Sequence, residues 1–172
     1  MCAVACCVAS GCASHQRLLG HPVPAHQPVA ILVKVSDQVN LADDGGGVAT
    51  LVETLSDELK ENGIESQIYA SNDDHPPPPR IELDVLYWHG TSRVSHKLAA
   101  ASYVVPAVGV GSLATAGNRI VVDCQVFLTS TSQPAFKQRF DRWGLGLGWT
   151  QTDDNSAASK AGSAIAGRIL TR

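Results

Sequence analysis

A chain of 172 residues with a formal net charge of −3 has the length of one ordinary domain, and it lacks the basic excess that nucleic-acid binding needs. Hydrophobic residues make up 44% of it but aromatics only 5%, so the core has to be built mainly from small and branched aliphatics. Four of its five cysteines, Cys2, Cys6, Cys7 and Cys12, crowd the first dozen residues, which sets that stretch apart from the fold.

From Met1 to Gly11 there is no charged residue, and Cys2-Ala3-Val4-Ala5-Cys6-Cys7-Val8-Ala9 is small, apolar and uncapped. This suits the hydrophobic region of an export signal better than a buried helix. A metal site or disulfide pairing are the other uses such cysteines have, and Cys6, Cys7, Cys12 and His15 are the residues a metal would draw on. The apolar run around them offers no polar groups to hold such ligands. Its end, Ala9-Ser10-Gly11-Cys12, resembles the lipobox of bacterial lipoproteins. That resemblance implies cleavage before Cys12, acylation of its thiol, and a mature chain that hangs from a membrane. Ala13 is compatible with the family's sorting to the outer membrane.

Ala13 to Gln27 is polar and punctuated by Pro22 and Pro24, without sustained periodicity, and reads as a spacer between anchor and domain. Its His15, His21 and His26 read as solvated side chains and not as a metal site. The chain thus divides into a signal remnant (1–11), a lipidated tether (12–27) and a single domain (28–172).

Within that domain, Val29 to Val35 is a β-branched apolar run that predicts a strand buried on both faces. Asp43-Asp44-Gly45-Gly46-Gly47 then opens a helix with Val48, Leu51, Val52, Leu55 and Leu59 at helical spacing, which Asn62-Gly63 closes. Ile64 to Ser71 predicts a second strand, parallel to the first by a right-handed crossover. The prolines 76–79 read as a stiff, exposed connector. Beyond them Ile81, Leu83, Val85 and Tyr87 alternate with Glu82 and Asp84, and Ile120, Val122, Cys124, Val126 and Leu128 alternate with Asp123 and Gln125. Between Phe136 and Trp143, phenylalanines alternate with Lys137, Arg139 and Asp141. A last helix runs from about Asp153 to Leu170, acidic at its start and basic at its end, with Ala157, Ala158, Ala161, Ala164, Ile165 and Ile169 buried.

The expected fold is α/β (α+β): a two-layer sandwich with a mixed sheet of about five strands and two helices mainly on one face, in the order β-α-β-β-β-β-α. Behind a lipobox-like start, this order resembles small bacterial lipoproteins of unknown or accessory function. The resemblance implies an outer-membrane or periplasmic address and a binding or assembly role.

The candidate motifs for chemistry are weak. Gly109-Val110-Gly111-Ser112-Leu113-Ala114 mimics a dinucleotide fingerprint, yet Gly117-Asn118 interrupts the helix it needs and Asp123 comes too soon to meet the ribose. Gly45-Gly46-Gly47 lacks the lysine of a phosphate loop, and Asp43 and Asp44 would repel an anion, so a turn and helix cap is the better reading. Tyr87-Trp88-His89-Gly90 is similar to the His-Gly segment of α/β-hydrolases, but the chain has no GxSxG elbow. An enzyme would have to draw a triad from His89 and His96 with Ser92, Ser95 and Asp84, His89 and Ser92 foremost. Cys124, inward on a strand, reads as a small hydrophobe. No cofactor and no metal are expected.

Two segments call for a functional account. Leu98 to Ala116 is uncharged and nearly long enough to span a membrane, but Pro106, Gly109 and Gly111 oppose a regular helix. Its place between two strands of one sheet opposes a span as well. It either covers the sheet or offers Tyr103, Val104, Val105, Val108, Val110 and Leu113 to a membrane or a protein. Trp143-Gly144-Leu145-Gly146-Leu147-Gly148-Trp149 either lets one backbone approach another and presents Trp143 and Trp149 at an interface, or is a hairpin-like turn whose indoles finish the core. The sequence therefore reads as a lipid-anchored envelope protein on the periplasmic face of the outer membrane, a non-enzymatic binding or assembly accessory with an envelope protein as possible partner. The alternative is a small soluble hydrolase-like enzyme using His89 and Ser92.

Overall fold

In the computed structural model, which describes residues 17–24, 27–37, 39, 46–69, 76–90, 117–130, 132–145 and 156–170, the expected order is found with a small hairpin added in front. The hairpin joins β1 (Arg17–Leu18) to β2 (His21–Pro22). The main sheet holds β3 (Val29–Val35), β4 (Ser66–Tyr69), β5 (Arg80–His89), β6 (Gly117–Phe127) and β7 (Phe136–Leu145) in the spatial order β4-β3-β5-β6-β7. Strand β3 is parallel to β4 and β5, and β5, β6 and β7 run antiparallel in turn, so the sheet is mixed. Helices α1 (Gly47–Glu61) and α2 (Ser156–Ile169) pack against each other and supply the second layer.

Alternation builds the core. Ile81, Leu83 and Val85 of β5, Ile120, Val122, Cys124 and Val126 of β6, and Phe140 of β7 are buried with Leu51, Leu55 and Leu59 of α1 and Ala161, Ile165 and Ile169 of α2. The first four residues of β3 are buried, on both faces, while Val33 to Val35 are only half-buried. Helix α1 ends in a Schellman arrangement, with Gly63 N–H donating to the Lys60 carbonyl and Ile64 N–H to that of Leu59. Gly63, at φ 76, supplies the left-handed residue this stop requires. Ile64 is thereby buried against the helix end, and β4 starts two residues later than its apolar pattern predicts.

The structure corrects several expectations. Residues 17–22, inside the stretch that reads as a spacer, are folded: Leu18 is buried in the core, and Leu19 N–H donates to the Ile169 carbonyl at 2.7 Å. The turn between β1 and β2 uses Leu19 at φ 52 and Gly20 at φ 77, the two positive values of a type I′ hairpin. The proline connector is not simply exposed either. Pro76 and Pro79 are buried, Ala30 N–H donates to the Pro79 carbonyl, and Gln27 Nε2 donates to that of Pro78 at 2.7 Å.

Both helix starts are fixed by contacts with the sheet, and the acidic start expected for the last helix at Asp153 lies outside the described residues. Helix α1 begins at Gly46, at φ 87, without a side-chain cap, and Gly47 is pressed against the Trp88 indole so closely that a β-carbon there would overlap the ring. Helix α2 has no acidic residue in its first turn; the Asn118 side-chain oxygen, reaching over from β6, accepts from Ala157 N–H at 3.0 Å. On α2, Gly162 and Ala166 are buried where Ala164 is only half-buried, because α1 approaches through the Gly162 side of the helix.

Candidate functional site

The second face of the sheet is where chemistry-bearing residues collect. On the core face the alternation of β5 predicts Tyr87 beside Val85. Instead, Val85 pairs with Val122 and Tyr87 with Val121, so Leu86 is an extra residue and the register shifts. A bulge of this kind reverses the facing of everything beyond it. Trp88 therefore enters the core at 7% exposure, and Tyr87 turns outward at 42%.

The outward residues then form successive rows across the strands. Asp84 of β5, Asp123 of β6 and Arg139 of β7 share one row, Tyr87, Val121 and Asp141 another, and His89, Arg119 and Trp143 the next. Arg139 grips Asp123 with two bonds of 2.6 and 2.8 Å, and Arg119 grips Asp141 with two of 3.0 and 2.6 Å. These charge-assisted hydrogen bonds hold the carboxyls of Asp123 and Asp141 below the ordinary carboxylate range. Further along, Arg80 and Lys34 both reach Glu82, and burial of that carboxyl opposes their effect without overcoming it, so it too stays low. Arg80 also lies over the Phe127 ring at 4.1 Å.

At the row of His89, Arg119 and Trp143 the face becomes aromatic. The Arg119 guanidinium lies 4.6 Å from the centre of the Trp143 ring and 5.7 Å from that of Tyr87. It therefore braces two exposed rings while Asp141 balances its charge. Trp143 is 56% exposed, which excludes it from the core. The glycine beside it has a different duty: Gly144 lies flat against the Asn118 side chain and the start of α2, so the expected close approach of backbones occurs here.

The hydrolase constellation is not assembled by the described residues. His89 is exposed at the end of β5, and Asp84 lies four β6 residues away from it in register, about 13 Å along the sheet. Ser92, Ser95 and His96 lie outside the described residues. Cys124 is fully buried, and burial alone pushes its thiol up to about 12, which removes it as a nucleophile. Among the described residues no three His, Cys, Asp or Glu side chains converge as a metal site would need, and no helix is long and apolar enough to cross a membrane. An open groove of about 710 Å³ runs between α1 and the edge strand β4, lined by Pro28, Ser56, Lys60, Ile64, Ser66 and Gln67 among others. It is bridged by the Ser56–Ser66 hydroxyl pair at 2.8 Å.

Of the residues expected to anchor the chain or meet a partner, Cys12, Tyr103, Val104, Val105, Val108, Val110, Leu113 and Trp149 lie outside the described residues, and Trp143 is placed. Its two companions were not legible as such. Tyr87 sits on the core side of the alternation until the bulge is known, and Arg119 is one charge among many until β6 and β7 are paired.

No protein-family model matches the sequence, and no curated protein matches it either. Among solved structures it is similar to the PelC dodecamer from Paraburkholderia phytofirmans, at 13% identity over 87% of this chain and 94% of that one, with a TM-score of 0.51. A PelC variant from the same organism matches at 11% identity over 86% of this chain and 89% of that one, also with a TM-score of 0.51. A minor lipoprotein from Acinetobacter baumannii matches at 13% identity over 83% of this chain and 93% of its own, with a TM-score of 0.35. The chain shares the fold of PelC.

Proposed function

We propose that this chain is a lipid-anchored protein of the bacterial envelope that binds or assembles other envelope components and does not catalyse a reaction. The observation that carries the reading is the open sheet face. Two of its arginines are held by Asp141 and Asp123, and its exposed rings, Tyr87 and Trp143, are braced by Arg119. Such a face offers a partner a rigid apolar hold. The PelC fold supports the reading, since PelC itself is a dodecamer and this architecture is therefore compatible with assembly. Ala9-Ser10-Gly11-Cys12 supplies the anchor, with acylation at Cys12, and Ala13 is compatible with sorting to the periplasmic face of the outer membrane.

Labelling with a fatty-acid analogue in a bacterial host tests this directly. The wild-type chain takes up the label and fractionates with membranes, and Cys12→Ala loses both. More than one acyl chain is needed for stable anchoring, because each buried methylene contributes about 0.8 kcal/mol. A wild-type chain that stays unlabelled in a competent host ends the reading.

A further inference from the structure

We infer that the free edge of β4 and the groove beside it form a docking site for an extended peptide segment of a partner protein, which adds one more strand to the main sheet. The inference sharpens the binding role proposed above and rests on that reading only for the partner's address.

The backbone of β4 sets the site. Val29 N–H donates to the Glu65 carbonyl at 2.8 Å, and the parallel register places Val29 against Ser66 and Ile31 against Ile68. In a parallel ladder a residue bonds the two neighbours of its partner. The N–H and C=O groups of Gln67 therefore turn toward β3, and those of Ser66 and Ile68 turn away from it. No strand lies on that side, and these outward groups meet no partner among the described residues. Nor is the strand covered: Gln67 is exposed, and Ile68 is 52% exposed. The opposite border of the sheet is guarded, since β7 carries Lys137, Arg139, Asp141 and Arg142, and charges of this kind keep an edge from pairing. Ser66-Gln67-Ile68-Tyr69 has no charge and no proline.

Edge and groove together select the occupant. Donors and acceptors that alternate at strand spacing are the complement of another extended main chain. In an antiparallel pairing Ser66 and Ile68 each exchange two bonds with one residue of the incoming segment. The Ser66 hydroxyl meets that of Ser56 on α1, so Ser66 faces the helix side, and so does Ile68 two residues on. The incoming residue opposite Ile68 lies against that exposed side chain and is apolar, and the one opposite Ser66 enters the groove between α1 and β4.

Charge orders the rest of the segment. Helix α1 carries Glu53, Asp57, Glu58, Lys60 and Glu61, and Glu65 precedes β4. Of these only Lys60 and Glu65 line the groove, and Glu58 is engaged by Ser163 on the α2 side. Neither Lys60 nor Glu65 has an ion-pair partner among the described residues. Complementarity asks for a carboxylate opposite Ser66, to reach Lys60, followed by a cation opposite Glu65. From its N-terminal end the segment thus reads apolar, any residue, acidic, basic. A second copy docked through β4 alone would pair only the four residues of that strand, far short of the roughly 1,200 Å² that a stable interface buries.

The test uses the purified full-length chain in detergent micelles and a fluorescein-labelled peptide, Ser-Thr-Val-Thr-Glu-Lys-Thr-Ser, read by fluorescence anisotropy. The peptide binds saturably. N-methylation of its Val or its Glu, whose N–H groups point at β4, weakens binding about tenfold, for a lost hydrogen bond and a methyl group against the strand. N-methylation of the Thr between them leaves binding unchanged, and exchanging Glu with Lys weakens it. Ile68→Pro removes one outward N–H and keeps the bonds to β3, since an edge strand accepts proline where its N–H faces solvent, and it weakens binding to a similar degree. Gln67→Ala, on the open face, does not. Circular dichroism checks that the variants are folded, and if Ile68→Pro is not, the N-methyl series on the wild-type chain decides alone. No saturable binding, an equal loss from all three N-methylated peptides, or full binding to folded Ile68→Pro overturns the proposal. A wild-type dimer that Ile68→Pro converts to monomer on size-exclusion chromatography makes β4 a self-association edge and overturns it too. Fatty-acid labelling separates the two readings: a labelled chain that ignores the peptide removes only the edge site, and an unlabelled chain that binds it removes only the lipid anchor.

Discussion

Asn118 holds its side-chain oxygen in the space that a β-carbon on Gly144 would fill, and from there it accepts the Ala157 N–H that starts α2. Asn118 is buried, at 2% exposure, so the bond takes the place of water for one of the N–H groups that start α2. One pair of facing residues on β6 and β7 thereby fixes where the second helix begins.

Replacing either member should be costly, and the costs should not add. Asn118→Ala leaves a buried N–H unpaired, at about 1–3 kcal/mol. Gly144→Ala forces a methyl group into the same space, at about 1–3 kcal/mol for overpacking. In the double variant one of the three groups that crowd the methyl, the Asn118 amide, is gone while the Ser156 hydroxyl and Ala157 nitrogen remain, so urea unfolding should show a loss smaller than the sum but still substantial. Strict additivity would mean that the two residues do not share that space.

Two glycines of α2 should respond in opposite directions. A β-carbon on Gly162 would stand 2.8 Å from the Leu51 carbonyl oxygen and 2.9 Å from the Thr54 β-carbon, so Gly162→Ala separates α1 from α2 and destabilises by about 1–3 kcal/mol. Gly167 faces open space, and Gly167→Ala should stabilise by up to about 1 kcal/mol through helix propensity. Thermal or urea unfolding of the two variants measures both signs.

Those two positions also show what the sequence discloses. The helical periods around Leu51 and Ala161, and the alternation of β6, carry the elements, their order and the small-residue face of α2. The pattern is silent on the partner that selects among small residues, so Ala164 and Gly162 look equivalent until α1 is packed. The bulge at Leu86 is invisible for a related reason: alternation assumes an unbroken register, and a single extra residue exchanges the faces of Tyr87 and Trp88. Leu18 was hidden by its polar, proline-flanked surroundings, since a lone apolar residue has no period.

The open face should be weakened by acid. The Asp123 and Asp141 carboxyls are lowered by their arginines, and that of Glu82 is lowered by Arg80 and Lys34 against the opposing effect of burial. A carboxyl whose folded pKa is lowered stabilises the fold above its ordinary value near about 4, and this contribution is lost as pH falls through the folded value. The urea midpoint should therefore decline below about pH 4. In Asp123→Asn/Asp141→Asn the decline should be shallower, and the gap to wild type should narrow in the same range. The pairs are exposed, so the effect is small for each. Parallel curves would show that the arginines do not bias these carboxyls.

The Cys124 thiol should be silent while the fold is intact. At neutral pH a thiol pushed up to about 12 is almost wholly protonated, and its burial also denies access. Mass spectrometry after iodoacetamide treatment should find Cys124 unmodified in the native protein and alkylated in urea. Native labelling at the rate of a free thiol would show that β6 opens readily.

The hairpin of β1 and β2 gives the molecule a defined response to mechanical load. A pull arriving through residue 17 does not reach β3 first. It acts on the Leu18 side chain, seated in the core, and on the single bond from Leu19 to the end of α2. The two paired residues on each strand can peel one after the other, releasing residues 17–22 before the load reaches Val23, packed on the core, and Gln27, bonded to the Pro78 carbonyl. The hairpin is therefore placed to yield first under such a load, leaving the five-stranded sheet in register.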